Sequence, residues 1–331
     1  MIKEGGNYID RIDSRHFNAI AQRASARYAV CTKLEEVELN GVIVLDKPSG
    51  WTSHDAVNKV RRLAGHAKVG HLGTLDPMAT GVLPMVVGKA TRLAQFVAVG
   101  RKVYETVVRF GFSTDSYDRE GEPTSEPKDV ELDPAEVKLW LEPFLGTHPQ
   151  MPPPISAKKI NGVPAYKLAR QNLPVELKAV EVTIDELTLL ACRGNEARLR
   201  VVCSGGTYVR AIAHELGRLA GCGAHLTELR RLESCGFSTE QSHTMDDLIA
   251  LAAKGELASV LLPSATLLPQ FPSVRVDSDA IAHIRQGRSF RMSPFVASSG
   301  ALHVKAVSGE GELVAIGEAR MPLVYHPIVV L

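Results

Sequence analysis

The chain has 331 residues, of which 45% are hydrophobic and 23% are charged, and its formal net charge at pH 7 is +1. These values exclude a disordered chain and a fibrous repeat. No apolar run approaches the roughly 18 residues that span a bilayer, which excludes a membrane protein with spanning helices. The N-terminus is charged and does not match a signal peptide, and the five cysteines include no C-x-x-C pair. These two features favour reduced thiols in the cytoplasm over a disulfide framework or a zinc knuckle.

The N-terminal half of the chain predicts strands that alternate with helices. Residues 1–40 show no strand pattern and are interpreted as an extension. Order begins with an apolar strand at 41–46, and Thr52 with Asp55 forms a capping box that opens a helix to about Leu63. The pattern then predicts a strand at 82–87, a helix at 89–96, a strand at 104–110 and, behind the N-cap Asp133, a helix at 134–144.

The C-terminal half begins with residues 147–177, where three consecutive prolines and an Asn-Gly turn indicate a mobile insertion. The pattern then predicts strands at 182–190 and 197–203 and a helix at 207–219. A capping box at Thr244 opens a further helix, which runs to about residue 253. A proline-rich linker at 262–272 and a small β module up to residue 331 follow. Because strands and helices follow each other in mixed order, we expect an α+β fold rather than a doubly wound sheet.

Charge is distributed in blocks along the chain. Residues 41–110 hold ten Lys or Arg and four Asp or Glu. Residues 115–142 hold three basic and ten acidic residues, and residues 198–231 hold six basic and two acidic residues. If the fold brings the two basic blocks together, they form a surface that binds a polyanion. Charge counts alone favour the simpler interpretation, in which these residues are solvated faces of helices.

One loop, GHLGTLDPMATG at residues 70–81, is unusual in a sequence that lacks the common phosphate-binding, zinc-protease and nucleophile-elbow motifs. Asp76 precedes a proline, which biases its backbone to an extended conformation, and Gly73 and Gly81 allow close approach of a ligand or of another backbone. Such a carboxylate serves as a nucleophile, as a base or only as a turn residue. The spacing alone favours the turn, because Asp-Pro is a common turn pair.

A second candidate is Arg210, which follows the glycines of CSGGTYVR and falls in the first turn of the predicted helix at 207–219. The dipole of a helix disfavours a cation at this end. We therefore expect Arg210 to have an anionic partner, which is either a carboxylate or a phosphate.

The loop at 70–81 resembles the catalytic motif of the TruB family of tRNA pseudouridine synthases. Other segments are similar to further motifs of the family and occur in its order between residues 41 and 236: GVIVLDKPSGWTSHDAV, KVYETVVRFGFSTDSYDREG, PPPISAKKINGVPAYKLAR, CSGGTYVRAIAHELG and CGAHLTELRRL. The resemblance implies a pseudouridine synthase catalytic domain at 41–268, with a mixed, mainly antiparallel sheet and flanking helices. It also implies an RNA-gripping insertion at about 147–177 and a small β-rich, PUA-like RNA-binding domain at 272–331.

The resemblance also implies roles for individual residues. Asp76 corresponds to the nucleophile, Tyr104 to a tyrosine that stacks on the target base and is implicated in proton removal, and Arg210 to an arginine that pairs with the aspartate. The expected substrate-binding residues are Tyr208 and Leu229 in the pocket wall, Asp118 on the flipped nucleotide, His71 in the RNA loop, and Lys47 and Arg92 in the RNA-binding cleft.

Several of these residues have simpler interpretations that the sequence leaves open. His71 braces its own loop, Asp118 is a turn carboxylate in an acidic stretch, and Lys47 caps its own turn. The sequence also departs from the family pattern, because Gly205 stands where many relatives have a lysine and Asn172 replaces a frequent glycine. We expect the first departure to weaken one phosphate contact without affecting the chemistry.

The activity that the resemblance implies is isomerisation of the T-loop uridine of tRNA, position 55 in tRNA convention, to pseudouridine. A carboxylate suits cleavage of a glycosidic bond, because it stabilises positive charge at C1′ or attacks this carbon directly. The expected protein is a monomeric cytoplasmic enzyme that binds the T-arm of tRNA without a guide RNA, a metal or another cofactor. The alternative is an RNA-binding or tRNA-folding protein without catalysis. A guide-RNA-dependent relative is disfavoured by the full insertion at 147–177.

Overall fold

The computed structural model describes residues 38–97, 100–155, 159–160, 163–164, 177–292 and 301–331. The predicted extension lies almost entirely outside the described residues, and so does most of the predicted insertion. Residues Leu39–Leu331 form one compact unit. Within the described part of the chain, no helix is long and apolar enough to cross a membrane.

The strands and helices of the described residues follow each other in mixed order. The strands are β1 (Gly41–Lys47), β2 (Val69–His71), β3 (Thr80–Val87), β4 (Lys102–Phe110), β5 (Gly146–Gln150), β6 (Lys159–Ile160), β7 (Val163–Pro164), β8 (Val180–Arg193), β9 (Glu196–Cys203), β10 (Ala224–Ser234), β11 (Phe237–Ser238), β12 (Ser273–Arg275), β13 (Phe290–Arg291), β14 (His303–Val307), β15 (Leu313–Met321) and β16 (Val324–Val330). The α-helices are α1 (Ser53–Leu63), α2 (Ala94–Val97), α3 (Pro134–Leu141), α4 (Val209–Leu219), α5 (Met245–Ala253) and α6 (Ser278–Arg285). Short 3₁₀-helices occur at Gly88–Leu93, Glu142–Phe144, Thr239–Gln241, Leu257–Val260 and Ser264–Leu267.

Most strands belong to one sheet in the order β1-β3-β10-β4-β9-β8-β5, with β2 beside β3 and β11 beside β10. Its pairings are antiparallel except that of β3 with β10, which is parallel. This architecture confirms the predicted α+β class. Arg231 on β10 lies opposite Gly81 on β3 and opposite Tyr104 on β4, so the predicted catalytic loop and the predicted tyrosine meet at the middle of the sheet.

Strands β1 and β3 are buried on both faces, which explains their continuous apolar sequences. Alternate residues of β1 pack into different cores, because successive side chains of a strand point to opposite faces. Ile43 and Leu45 belong to the core that includes residues of α1, α4 and α5. Val42 and Val44 belong to a second core, to which Ile316 of the C-terminal module contributes.

The C-terminal module is a five-stranded sheet in the order β12-β14-β15-β16-β13, which α6 contacts. The segment at 262–272, predicted to be a linker, is exposed at several positions but is anchored to the fold at others. Leu262 exchanges backbone hydrogen bonds with Val42, and Leu268 is fully buried. Its prolines indicate irregular backbone correctly, but they carry no information about burial.

Predictions that rest on short-range signals are largely confirmed. Thr52 forms its capping box with Asp55, and Thr244 forms another at the start of α5. The predicted helix at 89–96 is instead a 3₁₀-helix followed by the single turn of α2. Thr91 Oγ1 donates to the carbonyl of Gly88 at 2.8 Å, and this side chain competes for an oxygen that an α-helix would use for a backbone amide.

Candidate active site

Asp76 lies in the loop between β2 and β3, which the first turn of α1 holds in place. Ser53 Oγ accepts a hydrogen bond from the amide of Leu75 at 2.8 Å and donates one to the carbonyl of the same residue at 3.0 Å. The amide of Ala79 donates to the carbonyl of Asp76 at 3.1 Å and closes a turn around Pro77. The Asp-Pro turn is therefore real, and it is also what presents the carboxylate.

Lys47, at the end of β1, is fully buried beneath this turn. Its ammonium group donates to the carbonyl oxygens of Pro48 at 2.8 Å, Trp51 at 2.6 Å and Pro77 at 3.2 Å. Burial lowers the pKa of Lys47 from 10.5 to about 8, although the Asp76 carboxylate acts in the opposite direction. All three donors are used within the protein. Lys47 thus caps its own turn, which is one of its two interpretations, and the position in an RNA-binding cleft that the resemblance implies stays a prediction.

A second buried cation, Arg231, holds the other end of the loop. Its Nε donates to the carbonyl of Val82 at 2.7 Å, Nη2 to that of Gly73 at 3.0 Å, and Nη1 to that of Thr74 at 3.3 Å. None of the ion pairs among the described residues includes Arg231. Its partners are backbone carbonyl oxygens instead, which satisfy the buried donors without neutralising the charge.

Arg210 lies in the first turn of α4, and its anionic partners are two carboxylates. Its Nε is 2.9 Å from Asp76 Oδ2 and its Nη2 is 3.1 Å from Oδ1, which makes a bidentate pair. On the other side, Nη1 is 3.3 Å from Asp118 Oδ2. The side chains of Arg210 and Asp118 are both 6% exposed, whereas that of Asp76 is 32% exposed. The arginine therefore orients the Asp76 carboxylate and leaves one side of it accessible.

Asp118 belongs to an acidic loop between β4 and α3 that packs behind Arg210. Its Oδ1 accepts hydrogen bonds from Ser116 Oγ at 2.7 Å and from the amide of Glu120 at 3.0 Å. The carbonyl of Ser116 accepts from Arg210 Nη1 at 2.8 Å, so the loop contacts the guanidinium twice. Asp118 is buried and does not line the open side of Asp76. In the structure its partners are Arg210, Ser116 and the amide of Glu120, and the contact with the flipped nucleotide that the resemblance implies stays a prediction.

Asp76 faces a cavity of about 490 Å³, which is large enough for a nucleobase and its sugar. Five of the predicted site residues line this cavity: Asp76, Tyr104, Tyr208, Arg210 and Leu229. Tyr104 on β4 and Leu229 on the neighbouring β10 supply an apolar wall, and the Gly-Gly turn before α4 also lines the cavity. One cavity therefore combines a paired carboxylate with a surface on which a planar ring can stack.

Tyr104 is almost completely buried in the cavity wall. Burial raises the pKa of its phenol above the ordinary value. The Arg231 guanidinium acts in the opposite direction, through its charge and as a hydrogen-bond donor. At neutral pH the phenol is therefore protonated, with a permanent cation close to its oxygen.

His71 and Arg92 lie outside the cavity. The Nδ1 atom of His71 accepts a hydrogen bond from the amide of Gly73 at 3.3 Å, and burial lowers the pKa of the imidazole. His71 thus braces its own loop, as one of its two interpretations states. Arg92 is exposed, and its Nη1 donates to the carbonyl of Val330 in the C-terminal module.

Three residues that the sequence does not single out are also part of the site. Lys102 lines the cavity, Arg231 holds the loop, and Gln150 binds the backbone of Tyr208. Period-two spacing along a strand is a signal for the first two, because Lys102 is two residues from Tyr104 and Arg231 is two residues from Leu229. Gln150 lies at the start of the predicted insertion, and no local pattern identifies it.

The arrangement supports attack on a carbon that develops positive charge, next to a wall on which its leaving group can stack. Arg210 positions the attacking carboxylate, and Tyr104 places a phenol near the same space. In the part of the chain that the structure describes, no group of three or more His, Cys, Asp or Glu side chains could hold a metal ion.

Comparison with known proteins adds independent information. Residues 61–209 match the family model described as TruB family pseudouridylate synthase (N terminal domain), and residues 210–269 match tRNA pseudouridylate synthase B C-terminal domain. The chain is 57% identical over 293 residues to a protein of Solibacter usitatus named tRNA pseudouridine synthase B, which covers 88% of this chain and all of that protein. It is 43% identical over 249 residues to a protein of the same name from Syntrophotalea carbinolica, with 75% and 81% of the two chains covered.

A solved structure shares the fold at lower sequence identity. It is described as an H/ACA RNP bound to a substrate RNA containing 2′-deoxyuridine, and the chain matches it with a TM-score of 0.66 and 23% identity. The match covers 89% of this chain and 86% of that chain. The match therefore supports the overall fold.

Proposed function

This chain belongs to the TruB family of pseudouridylate synthases, and from that membership and the site geometry we infer that it isomerises the T-loop uridine of tRNA, position 55, to pseudouridine. The substrate is free tRNA, which is recognised through its T-arm without a guide RNA and is modified in the cytoplasm. Asp76, Tyr104 and Arg210 carry the reaction. The observation that supports these roles most directly is the bidentate Arg210–Asp76 pair at the cavity lined by Tyr104 and Leu229.

The reaction starts at the glycosidic bond of the target uridine. Cleavage of the N1–C1′ bond leaves both bonding electrons on the uracil ring and positive charge at C1′. The accessible side of the Asp76 carboxylate stabilises that charge or bonds to C1′ directly. One carboxylate suffices, because uracil leaves as a delocalised anion and needs no acid to protonate it at N1.

Arg210 and Asp118 keep Asp76 in the orientation that this step requires. The guanidinium holds both carboxylate oxygens of Asp76, and the buried Asp118 fixes the guanidinium from behind. A mobile carboxylate would lose the orientation on which a large part of such rate enhancements depends. Asp118 is therefore a positioning residue, which acts through Arg210.

Tyr104 and Leu229 hold the detached base. A planar wall allows the uracil ring to turn over and present C5 to C1′ while it remains stacked. After the C5–C1′ bond forms, the proton on C5 must leave, and N1, which is no longer bonded to C1′, must gain one. The Tyr104 phenol lies in the wall against which the base stacks, and because it is protonated it can take up the C5 proton only after it has given its own proton to the ring or to water. The product has the same atoms as the substrate, so the reaction requires no co-substrate.

The target uridine must leave its RNA loop to enter the cavity. Extrusion of a nucleotide costs a few kcal/mol, which stacking and pocket contacts offset. The exposed Arg92 beside the C-terminal module is one of the cations that support RNA binding. The region at 147–177 closes over the RNA loop in this proposal, and most of it lies outside the described residues.

The proposal is tested with unmodified tRNA that carries tritium at C5 of uridine. The wild-type protein is expected to release tritium, and the modified position, found by primer extension after carbodiimide treatment, is expected to be the T-loop uridine. Asp76→Asn is expected to bind tRNA and release nothing. Asp246→Asn, which makes the same chemical change on the exposed side of α5, is expected to behave like the wild type. If the wild type binds tRNA without releasing tritium, the protein acts as an RNA-binding or RNA-folding protein and the catalytic proposal is wrong.

A further inference from the structure

Lys102 begins β4 two residues before Tyr104, so the two side chains lie on the same face of the strand. Both line the cavity. A Cβ atom built on Gly73 would lie 3.5 Å from Lys102 Nζ and 3.7 Å from Arg231 Nη1. The ammonium group and the guanidinium therefore converge on one point of the loop that carries Asp76.

The Lys102 ammonium group has no hydrogen-bond or ion-pair partner among the residues that the structure describes. Burial lowers the pKa of Lys102, and the nearby charge of Arg231 lowers it further. Arg231 donates to three carbonyl oxygens and to the Tyr104 phenol, and it has no ion-pair partner among the described residues. Two cations without a carboxylate between them make this side of the cavity favourable for a negative charge that arrives with a ligand.

The other cation of the cavity is not available for such a charge. Arg210 is bound to Asp76 on one side and to Asp118 on the other. In the described part of the cavity wall, Lys102 is thus the cation that remains for the substrate.

The proposed reaction produces a negative charge at this place. Between cleavage of the N1–C1′ bond and formation of the C5–C1′ bond, uracil holds an extra electron pair that is shared among N1, O2 and O4. The ring then stacks against the wall formed by Tyr104 and Leu229, which keeps water from one of its faces. Fixed donors that face a developing charge in such a site contribute strongly to catalysis.

We propose that Lys102 is a further catalytic residue, whose ammonium group stabilises the negative charge that the uracil ring carries while it is detached from C1′. This inference rests on the proposed function. In this proposal Lys102 keeps its proton, so it adds no proton or electron transfer to the reaction. Arg231 acts as a positioning residue behind it, because it holds the loop against which the ammonium group lies.

A phosphodiester of the target nucleotide is the other anion that fits an ammonium group here. The two anions differ in when they are present. The phosphate is there as soon as tRNA binds, whereas the uracil anion exists only during the reaction. A contact with phosphate therefore changes the affinity for tRNA, and a contact with the uracil anion changes the rate of the chemical step.

The test compares Lys102→Met, which removes the charge and keeps the length of the side chain, with Lys102→Arg, which keeps the charge. Lys254→Met, at the exposed C-terminal end of α5, makes the same chemical change outside the site. For each protein, tritium release is measured in single turnovers with enzyme in excess, the dissociation constant of tRNA by filter binding, and the melting temperature by circular dichroism.

We expect Lys102→Met to lower the single-turnover rate by about 10²-fold, with tRNA affinity within about twofold of wild type. Lys102→Arg is expected to recover most of the lost rate, and Lys254→Met to match the wild type. Weaker binding with an unchanged rate would assign Lys102 to a phosphate and overturn the proposal. Equal loss in the Met and Arg variants would show that shape rather than charge matters, and an unchanged Lys102→Met would also overturn it. A wild type without tritium release would instead refute the proposed function itself.

Discussion

Gln150 and Tyr208 are joined by two hydrogen bonds that run in opposite directions. The amide of Tyr208 donates to Gln150 Oε1 at 2.8 Å, and Gln150 Nε2 donates to the carbonyl of Tyr208 at 3.1 Å. The buried Gln150 ends β5, and Tyr208 is the N-cap residue of α4, two positions before Arg210. The Gln150 side chain therefore links the start of α4, the helix that carries Arg210, to the edge strand of the sheet.

Replacing Gln150 by Leu is expected to reduce activity through Arg210 without touching the cavity. Loss of two hydrogen bonds at a buried position lowers the free energy of unfolding by about 2 kcal/mol and loosens the first turn of α4. The expected signature is a kcat lowered more than the affinity for tRNA, measured by tritium release and filter binding. Gln286→Leu, beyond the end of α6, serves as the control. An unchanged kcat in Gln150→Leu would show that the two hydrogen bonds to Tyr208 are not needed to position Arg210.

The Arg210–Asp118 pair predicts an asymmetry between variants. Arg210→Met leaves the buried Asp118 carboxylate without its cation and is expected to destabilise the protein by about 3 kcal/mol. Adding Asp118→Asn to Arg210→Met removes the uncompensated charge and is expected to restore part of that stability, although activity stays lost. Urea unfolding of the two single variants and the double variant measures the coupling. Additive losses of stability would mean that the two residues do not interact as the structure indicates.

Lys47 predicts how stability depends on pH. Its pKa is lowered by burial to about 8 in the folded protein and returns to about 10.5 on unfolding. Between these values the unfolded chain binds the proton and the folded chain does not, so the contribution of Lys47 to stability becomes more favourable as pH rises from about 8 to 10.5. Urea unfolding on both sides of about pH 8 tests this. Lys47→Met lacks the titrating group and is expected to lack this component of the pH dependence. If the free energy of unfolding changes with pH by the same amount in the wild type and in Lys47→Met, the pH dependence arises from other groups.

The surroundings of Gly81 predict that a side chain at this position clashes sterically with the neighbouring strand, in addition to straining its own backbone. Its φ is +99°, and a Cβ atom there would overlap the backbone of Arg231 on the neighbouring strand. Gly50 has φ +81° with open space around it. Gly50→Ala is expected to cost about 1–2 kcal/mol for the left-handed backbone conformation. Gly81→Ala is expected to cost at least twice as much and to abolish tritium release. Similar melting temperatures for the two variants would refute the close approach of β3 and β10.

Arg92 predicts a change in RNA binding without a change in chemistry. It is exposed and bonds the Val330 carbonyl, so Arg92→Ala is expected to alter stability by less than about 1 kcal/mol. If its guanidinium neutralises one phosphate, the slope of log affinity against log salt falls by about one, whereas the single-turnover rate at saturating enzyme stays the same. Filter binding at several salt concentrations measures the slope. A wild-type slope would exclude the phosphate contact.

The sequence predicts local features of this fold better than its packing. The capping boxes of Thr52 and Thr244 and the anionic partner of Arg210 each depend on a few neighbouring residues and a general property of helices, and each is present in the structure. The packing of Leu262 depends instead on a pairing with Val42, more than 200 residues away, which no local pattern encodes.

The candidate site divides in the same way. The motif resemblance identifies Asp76, Tyr104 and Arg210, which lie at one cavity. It assigns Lys47 to the RNA-binding cleft and does not identify Arg231 at all, because a lysine or arginine in a sequence predicts a solvated charge. Lys47 and Arg231 are buried only because carbonyl oxygens from several segments meet around each of them. Such a convergence is a property of the three-dimensional fold.

Strand β10 carries different tasks on consecutive residues. Leu229 lines the cavity, Arg230 binds Asp46 at 2.7 Å, and Arg231 holds the catalytic loop from the opposite face of the strand to Arg230. Inserting or deleting one residue upstream in this strand would exchange the two faces and turn every one of these side chains away from its partner. During evolution this stretch can therefore change by substitution but hardly by a shift in length.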